Sequence, residues 1–368
     1  MQKQEGKINY LLFPFAVLYG LVTEIRNKLF DRKILPVEEF SVPVICVGNL
    51  TVGGTGKTPH IEYLIRMLMK THRIAVLSRG YKRKTSGFVL ADTQSNSLTI
   101  GDEPYQIYKK FPGIIVAVDE KRCRGIRKLL TFSTELRPEV ILLDDAFQHR
   151  YVKPGLSILL TDIHRPIYDD CLLPVGRLRE LVRNKSRADV VIVTKCPLDI
   201  DFERMSEISK RLNLRPGQSL FFSSFRYGNL IPVFMQAPIL IPEEIQKKYF
   251  SILLISGIAN PSPLVHQLRR YASILETLQY PDHHHFSESD IKNIQHRFDQ
   301  IEGQEKIIVT TEKDATRLIN HGAAFDNDIK KRMYYLPVEV FFNFDKEIVF
   351  NKIIREHVEK DTRNDKLD

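Results

Sequence analysis

Between residues 42 and 195 the chain repeats one alternation: a short, nearly continuous apolar run, then a longer stretch in which apolar residues recur every three or four positions. The short runs, residues 42–47, 73–78, 113–118, 140–144, 157–161 and 190–194, read as buried strands. The longer ones, residues 103–111, 121–132 and 180–188, read as helices, and Ile61, Leu64, Ile65, Leu68 and Met69 form the apolar stripe of another. Strict alternation of this kind predicts a largely parallel sheet with helices on both faces. Ligands in such sheets bind beyond the carboxyl ends of the strands.

The pattern changes after residue 220. Residues 221–233 (FFSSFRYGNLIPV) and 333–342 (MYYLPVEVFF) are strand-like with no helix beside them. They are expected to pair as a two-stranded connection. Between them, residues 251–258, 261–271, 287–301 and 306–310 resume the α/β alternation, as a second, smaller lobe. Residues 357–368 are charged and expected to fray. The organisation expected is an N-terminal helix over 1–35, a core over 36–222, a second lobe with its linker strands over 223–345, and a C-terminal helix with a charged tail over 346–368.

Residues 8–23 (INYLLFPFAVLYGLVT) carry no charge. As a helix they would span about 24 Å, short of the ~30 Å hydrocarbon core of a bilayer. Lys3, Lys7, Arg26, Lys28, Arg32 and Lys33 flank them against Glu5, Glu24 and Asp31. This favours a helix lying in a membrane interface over one crossing it; the plainer alternative is a helix docked on the protein's own core. No small-residue cleavage site follows, so a signal peptide is not expected.

Composition adds bounds. A length of 368 residues suits two or three domains. The net charge of +9 is compatible with phosphorylated substrates or anionic lipid, and no nucleic-acid-binding motif accompanies it. Cys46, Cys123, Cys171 and Cys196 stand far apart, with no spacing that suggests zinc or a disulfide framework.

The most specific chemistry follows the first strand: Gly48-Asn49-Leu50-Thr51-Val52-Gly53-Gly54-Thr55-Gly56-Lys57-Thr58-Pro59. Strand, glycine-rich loop and helix together make a phosphate-binding loop. Backbone N–H groups of Gly53, Gly54, Thr55 and Gly56 can converge on phosphate oxygens, Lys57 can reach the outer phosphates, and Thr58 can join a Mg²⁺ shell. Thr51 stands where the general pattern has glycine. The run at 140–144 ends in Asp144-Asp145, as a strand does when it delivers a carboxylate to Mg²⁺ beside such a loop, and Phe147-Gln148-His149 follows. His149 is equally well an ordinary turn histidine.

Other groups are less specific. Gly101-Asp102-Glu103-Pro104 opens a helix, and spacing alone favours a cap over a general base. His283, His284 and His285 precede a helix whose start has a capping box, Ser287 with Asp290, and a hydrophobic staple, Phe286 with Ile291. One tuned acid/base histidine is the better functional reading there, and solvent-exposed histidines are the ordinary one. Arg79, Arg122 and Arg179 sit in basic clusters that suit phosphate, though most surface arginines are merely solvated. Thr311-Glu312-Lys313-Asp314 reads as an ion-pair turn, and Pro197 after Thr194-Lys195 argues for adenine over guanine nucleotide.

In order along the chain, the apolar N-terminal segment, the phosphate loop, Ser78-Arg79-Gly80-Tyr81, Gly101-Asp102-Glu103-Pro104, Leu143-Asp144-Asp145-Ala146-Phe147-Gln148-His149, Asp282-His283 and Thr311-Glu312-Lys313-Asp314 resemble the tetraacyldisaccharide 4'-kinase (lipid A 4'-kinase) family. Ala146 stands where that family usually has glycine. The resemblance implies a P-loop NTPase-like core and transfer of the ATP γ-phosphate to the 4'-hydroxyl of an acylated glucosamine disaccharide 1-phosphate. It implies Mg²⁺ held near Thr58, Asp144 and Asp145, and Asp102 as base with His283 as its partner. Arg122 and Arg179 would hold phosphate, with Arg79, Glu103, Gln148 and His149 completing the substrate contacts. It places the enzyme at the cytoplasmic face of the bacterial inner membrane, with no nucleic acid and no obligate protein partner. Two rivals remain: a membrane-cycling switch ATPase, whose loops carry a lysine where this chain has Val52, and a soluble kinase for a small metabolite.

Overall fold

The computed structural model describes residues 10–234, 237–258, 260–282 and 284–364. Its strands in chain order are β1 (Val44–Asn49), β2 (Ile74–Ser78), β3 (Val89–Leu90), β4 (Ile115–Val118), β5 (Val140–Asp144), β6 (Leu156–Asp162), β7 (Val190–Thr194), β8 (Ser219–Tyr227), β9 (Ile231–Pro232), β10 (Ser251–Ser256), β11 (Ile274–Gln279), β12 (Lys306–Thr311), β13 (Met333–Leu336) and β14 (Val338–Phe342). The α-helices are α1 (Phe13–Asp31), α2 (Lys57–Leu68), α3 (Ser97–Ile100), α4 (Asp102–Lys110), α5 (Arg122–Leu130), α6 (Phe202–Leu212), α7 (Pro242–Lys248), α8 (Ser262–Leu268), α9 (Glu288–Gln300), α10 (Glu312–Leu318), α11 (Asn327–Lys330) and α12 (Glu347–Asn364).

The chain forms two compact units: residues 1–94, 111–225 and 340–368, and residues 95–110 with 226–339. The second unit therefore takes in α3 and α4 from within the stretch that the sequence assigns to a continuous core over 36–222. Helical spacing reports only that α4 has an apolar face, not which core receives it.

The first unit holds a nine-stranded sheet ordered β14-β8-β7-β6-β1-β5-β2-β4-β3. From β8 to β4 every pairing is parallel. Strands β1, β2, β5 and β7 are buried along their whole length, which is why they read as unbroken apolar runs. In α2, Ile61, Leu64, Ile65 and Leu68 are fully buried, whereas Met69 caps the helix end and is exposed. Residues 180–188 are not the expected α-helix. Only a 3₁₀ turn forms over Val182–Arg187. Asn184 Nδ2 and Arg187 Nη2 both donate to Glu180 Oε2, and Gln218 Nε2 donates to the carbonyls of Lys185 and Ala188, so side chains compete for the groups that an α-helix would bond internally.

The second unit holds a five-stranded sheet ordered β11-β10-β12-β13-β9, parallel except for β9 against β13. Segments 221–233 and 333–342 pair with each other, and they do so as members of the two sheets. In the large sheet β8 and β14 are neighbours, and in the small one β9 and β13 pair. The capping box of Ser287 with Asp290 is formed, and Phe286 and Ile291 are buried in the same core cluster. At the C-terminus α12 runs to Asn364, with Ile354 and Val358 fully buried, so residues 357–364 are helical rather than frayed.

Helix α1 is amphipathic in reverse. Ala16, Gly20, Asn27 and Phe30 are buried, while Phe13, Phe15, Val17, Leu18, Leu21, Val22 and Ile25 are each at least half exposed. No helix among the described residues is long and apolar enough to cross a membrane.

Candidate active site

Strand β1 lies between β5 and β6, and its register sets Val47 beside Asp144. The loop from β1 to α2 therefore opens at the carboxyl edge of the sheet, next to the acids. Gly53 and Gly56 have φ of 109° and 86°, a left-handed conformation that strains any residue with a Cβ. Gly56 also has Phe225 packed so closely that an added Cβ would lie 2.6 Å from its ring. Thr55 fixes the loop from inside: Asn49 Nδ2 donates to its hydroxyl at 2.8 Å, and the Thr194 hydroxyl donates to its carbonyl at 2.9 Å. Helix α2 begins at Lys57, so its positive end faces the same opening. Thr58 is its second residue.

Lys57 Nζ lies 3.6 Å from Asp145 Oδ1. Arg179 Nη1 sits between both oxygens of that carboxylate, at 3.0 and 3.1 Å, and reaches Gln148 Oε1 at 3.3 Å. Gln148 in turn donates to the Asn49 carbonyl at 2.7 Å. Burial works against the Asp145 charge, but Lys57, Arg179 and Arg122 outweigh it and hold the carboxyl below its ordinary range. Asp145 has φ of 47°, the left-handed turn that swings the chain out of β5. Asp144 is buried and accepts from the Ser78 hydroxyl at 3.3 Å. Ala146 packs in a core cluster with Cys46 and Ile126, so the methyl that replaces glycine has a place.

Arg122 is buried and donates to the Asp119 carbonyl at 2.9 Å. Burial pulls it down to about 10, against the opposing pull of Asp144 and Asp145. His149 is pushed down to about 4 by burial and by the charges of Arg122, Arg26 and Arg79, so it stays neutral at pH 7. Arg79 is exposed just beyond β2. Lys57, Thr58, Asp144, Asp145, Arg122, Gln148, His149 and Arg179 thus all belong to the first unit. No group of three or more His, Cys, Asp or Glu able to hold a metal occurs among the described residues. Mg²⁺ is a hard ion that takes one or two carboxylates and completes its shell with substrate phosphates and water. Asp144 and the Thr58 hydroxyl are donors of the right kind.

Asp102 and Glu103 belong to the second unit, at the start of α4. Asp102 is buried and accepts from Arg317 Nη2 at 2.5 Å, and Arg317 Nη1 donates to Asp314 at 3.0 Å. Asp314 also accepts from the Gly257 N–H at 2.8 Å and the Thr311 hydroxyl at 2.7 Å. Glu103 pairs with Lys313 at 3.1 Å and Glu312 with Lys110 at 2.5 Å. The 311–314 segment therefore caps α10 and ties it to α4. His283 lies outside the described residues; His284 meets Asp290 at 3.0 Å and stacks on Tyr280.

Three contributors have no motif of their own. Lys195, at φ 59° just after β7, donates to the Gly54 carbonyl at 2.5 Å and to Asp162 at 2.6 Å, pinning the loop from the far side. Arg317 grips Asp102 from 215 positions away. His60 bonds the Gly56 carbonyl at 2.7 Å and Ser223 at 3.0 Å. Only the apolar-strand-then-polar pattern of Thr194-Lys195 hinted at any of them.

A loop of this geometry at the edge of a parallel sheet, with a carboxylate at the end of the neighbouring strand, defines a P-loop nucleotide-binding protein. The chain belongs to the tetraacyldisaccharide-1-P 4'-kinase family, whose model matches residues 8–359. It is 53% identical over 364 residues to the tetraacyldisaccharide 4'-kinase of Bacteroides thetaiotaomicron, covering 97% of this chain and 95% of that one. The Flavobacterium johnsoniae tetraacyldisaccharide 4'-kinase is 47% identical, over 95% and 98% of the two chains. The fold is similar to the crystal structure of LpxK from Aquifex aeolicus in complex with ATP, with a TM-score of 0.71, 28% identity, and 94% and 98% of the two chains covered.

Proposed function

We propose that this chain is the ATP-dependent kinase that phosphorylates the 4'-hydroxyl of tetraacyldisaccharide 1-phosphate in lipid A biosynthesis. The observation that carries the reading is the set of charges on Asp145: Lys57 from the phosphate loop and Arg179 from a distant segment meet on one carboxylate beside the loop. When ATP is bound, Lys57 has the reach to turn to its outer phosphates. Arg179 has Nε and Nη2 without hydrogen-bond partners among the described residues, which suits an incoming phosphate. Mg²⁺ would be held by Asp144 and Thr58 and would neutralise charge on the transferring phosphoryl group.

A sugar hydroxyl is a poor nucleophile at neutral pH, so it needs a base. Asp102 takes that role from the family resemblance, with His283 as its expected partner, and Arg317 orients the carboxylate. The neutral His149 can accept or donate a hydrogen bond without adding positive charge. The outward apolar face of α1 suits the headgroup–acyl boundary where the substrate resides, which supports peripheral association with the cytoplasmic face of the inner membrane.

The test is transfer of label from γ-labelled ATP to tetraacyldisaccharide 1-phosphate in detergent micelles. Mg²⁺-dependent label in the lipid is expected. Label released only as free phosphate would replace the kinase with a switch ATPase.

A further inference from the structure

The inner side of α1 carries polar groups beside the buried Ala16, Gly20 and Phe30, where a helix seated on a protein core is normally apolar. Tyr19 donates its hydroxyl to the Arg179 carbonyl at 3.0 Å. Arg26 reaches the Gln148 carbonyl with both Nη1 and Nη2, each at 3.2 Å. Asn27 donates to Glu180 Oε2 at 3.2 Å, and Arg150 returns a bond to the Asn27 carbonyl at 2.9 Å. Glu24 pairs with Arg183. Gly20 lets the helix approach so closely that an added Cβ would lie 2.6 Å from Leu172. The two carbonyls that α1 holds belong to Arg179, whose guanidinium meets Asp145, and to Gln148, whose side chain meets that guanidinium.

These contacts fall on one face by helical spacing, and Leu18, Leu21, Val22 and Ile25 fall on the other. Burial raises the Tyr19 phenol above its ordinary value, with Glu180 adding to this against Arg179, so it remains a donor across the working pH range. Arg26 is further fixed by the Phe30 ring 5.1 Å away. The contacts are to backbone, so they set where the Arg179 and Gln148 side chains start rather than replacing their bonds.

We infer that α1 is a positioning element for the phosphoryl-transfer site: Tyr19 and Arg26 are positioning residues that fix the backbone from which Arg179 and Gln148 extend. This rests on the kinase reading.

The experiment uses the full chain in mixed micelles, measuring kcat, KM for ATP and KM for the lipid, with sedimentation on vesicles of phosphatidylglycerol and phosphatidylcholine and a thermal melt for each variant. Losing one or two such hydrogen bonds should lower kcat about 5-fold in Tyr19→Phe and about 10-fold in Arg26→Gln, with lipid KM and vesicle binding unchanged. Arg26→Lys should recover part of the loss. Leu18→Ser on the outer face should show the opposite split: weaker vesicle binding and higher lipid KM, with kcat kept at saturating lipid. Unchanged kcat in Tyr19→Phe and Arg26→Gln, or a fall explained by a lower melting temperature with no partial rescue by Arg26→Lys, would overturn the positioning role. Absence of transfer in the unmodified protein would instead overturn the kinase reading.

Discussion

His60 gives the sharpest test of how the phosphate loop is held. The imidazole is almost fully buried, with Nδ1 2.7 Å from the Gly56 carbonyl and Nε2 3.0 Å from the Ser223 hydroxyl. A carbonyl only accepts, so Nδ1 carries the proton, and in the neutral ring Nε2 accepts from the Ser223 hydroxyl. Burial pushes the group down from 6.5 to about 4, against the opposing pull of the Gly56 carbonyl. The unfolded chain therefore binds a proton below pH 6.5 that the folded chain refuses. This contribution is fully present above pH 6.5 and is lost as pH falls toward 4. Between pH 7.5 and 5 the loss from this one group is about 2 kcal/mol. Urea unfolding of the wild type and of His60→Gln at both pH values isolates it. The variant should start less stable at pH 7.5 by about 1–3 kcal/mol, because the Gly56 carbonyl and Ser223 lose their partner. It should then lose about 2 kcal/mol less than the wild type on acidification. His149, also held near 4, is common to both proteins and cancels in the comparison. Equal losses on acidification would refute the buried neutral imidazole.

Asp102→Asn keeps the shape that Arg317 grips but removes the carboxylate proposed as the base. Turnover should fall about 10²–10⁴-fold while ATP KM changes little, and the reverse pattern in steady-state kinetics would make Asp102 a structural or nucleotide-binding residue. Arg317→Met removes the cation shared by Asp102 and Asp314 and should cost about 3–5 kcal/mol in denaturant unfolding; a loss below 1 kcal/mol would mean that the buried pair is already solvated. Arg179→Lys keeps the charge but loses the planar guanidinium, and should lower kcat about 10-fold or more with little change in stability. Removing Mg²⁺ with a chelator should abolish label transfer and leave the melt of the ATP-free protein unmoved, a combination expected of an ion held mainly through substrate phosphates.

How far the sequence carries depends on the range of the interaction. The phosphate loop was legible because its chemistry lies within one strand–loop–helix unit, where spacing fixes geometry. The parallel core was legible for a similar reason: strands buried on both faces must be apolar throughout. Partners set by register were not. Arg179 reaches Asp145 because residues 177–179 pair with the loop backbone, Val52 N–H to the Arg177 carbonyl at 2.8 Å and Arg179 N–H to the Leu50 carbonyl at 2.7 Å. No local pattern announces that pairing. Arg317 and Lys195 likewise find their partners through pairings that no local pattern announces. The turn at 182–187 misled because apolar spacing cannot reveal that Gln218 will take its carbonyls.

Helix α1 shows where a sequence pattern is ambiguous in principle. Residues 8–23 are apolar almost all round, so the choice between a core helix and a lipid helix has no answer in periodicity. The deciding information is which face the fold needs, and the fold needs the face that carries the hydrogen-bonding groups together with Ala16 and Phe30. Tyr19, Glu24, Arg26 and Asn27 have partners inside, while Leu18, Leu21, Val22 and Ile25 have none to cover them among the described residues. Each of those side chains would gain about 1 kcal/mol or more on leaving water. Burying the apolar side against the protein instead would strand four polar groups. Both costs point the same way: the orientation is held by hydrogen bonds on the inside and is rewarded when an apolar phase, such as the proposed lipid surface, lies outside.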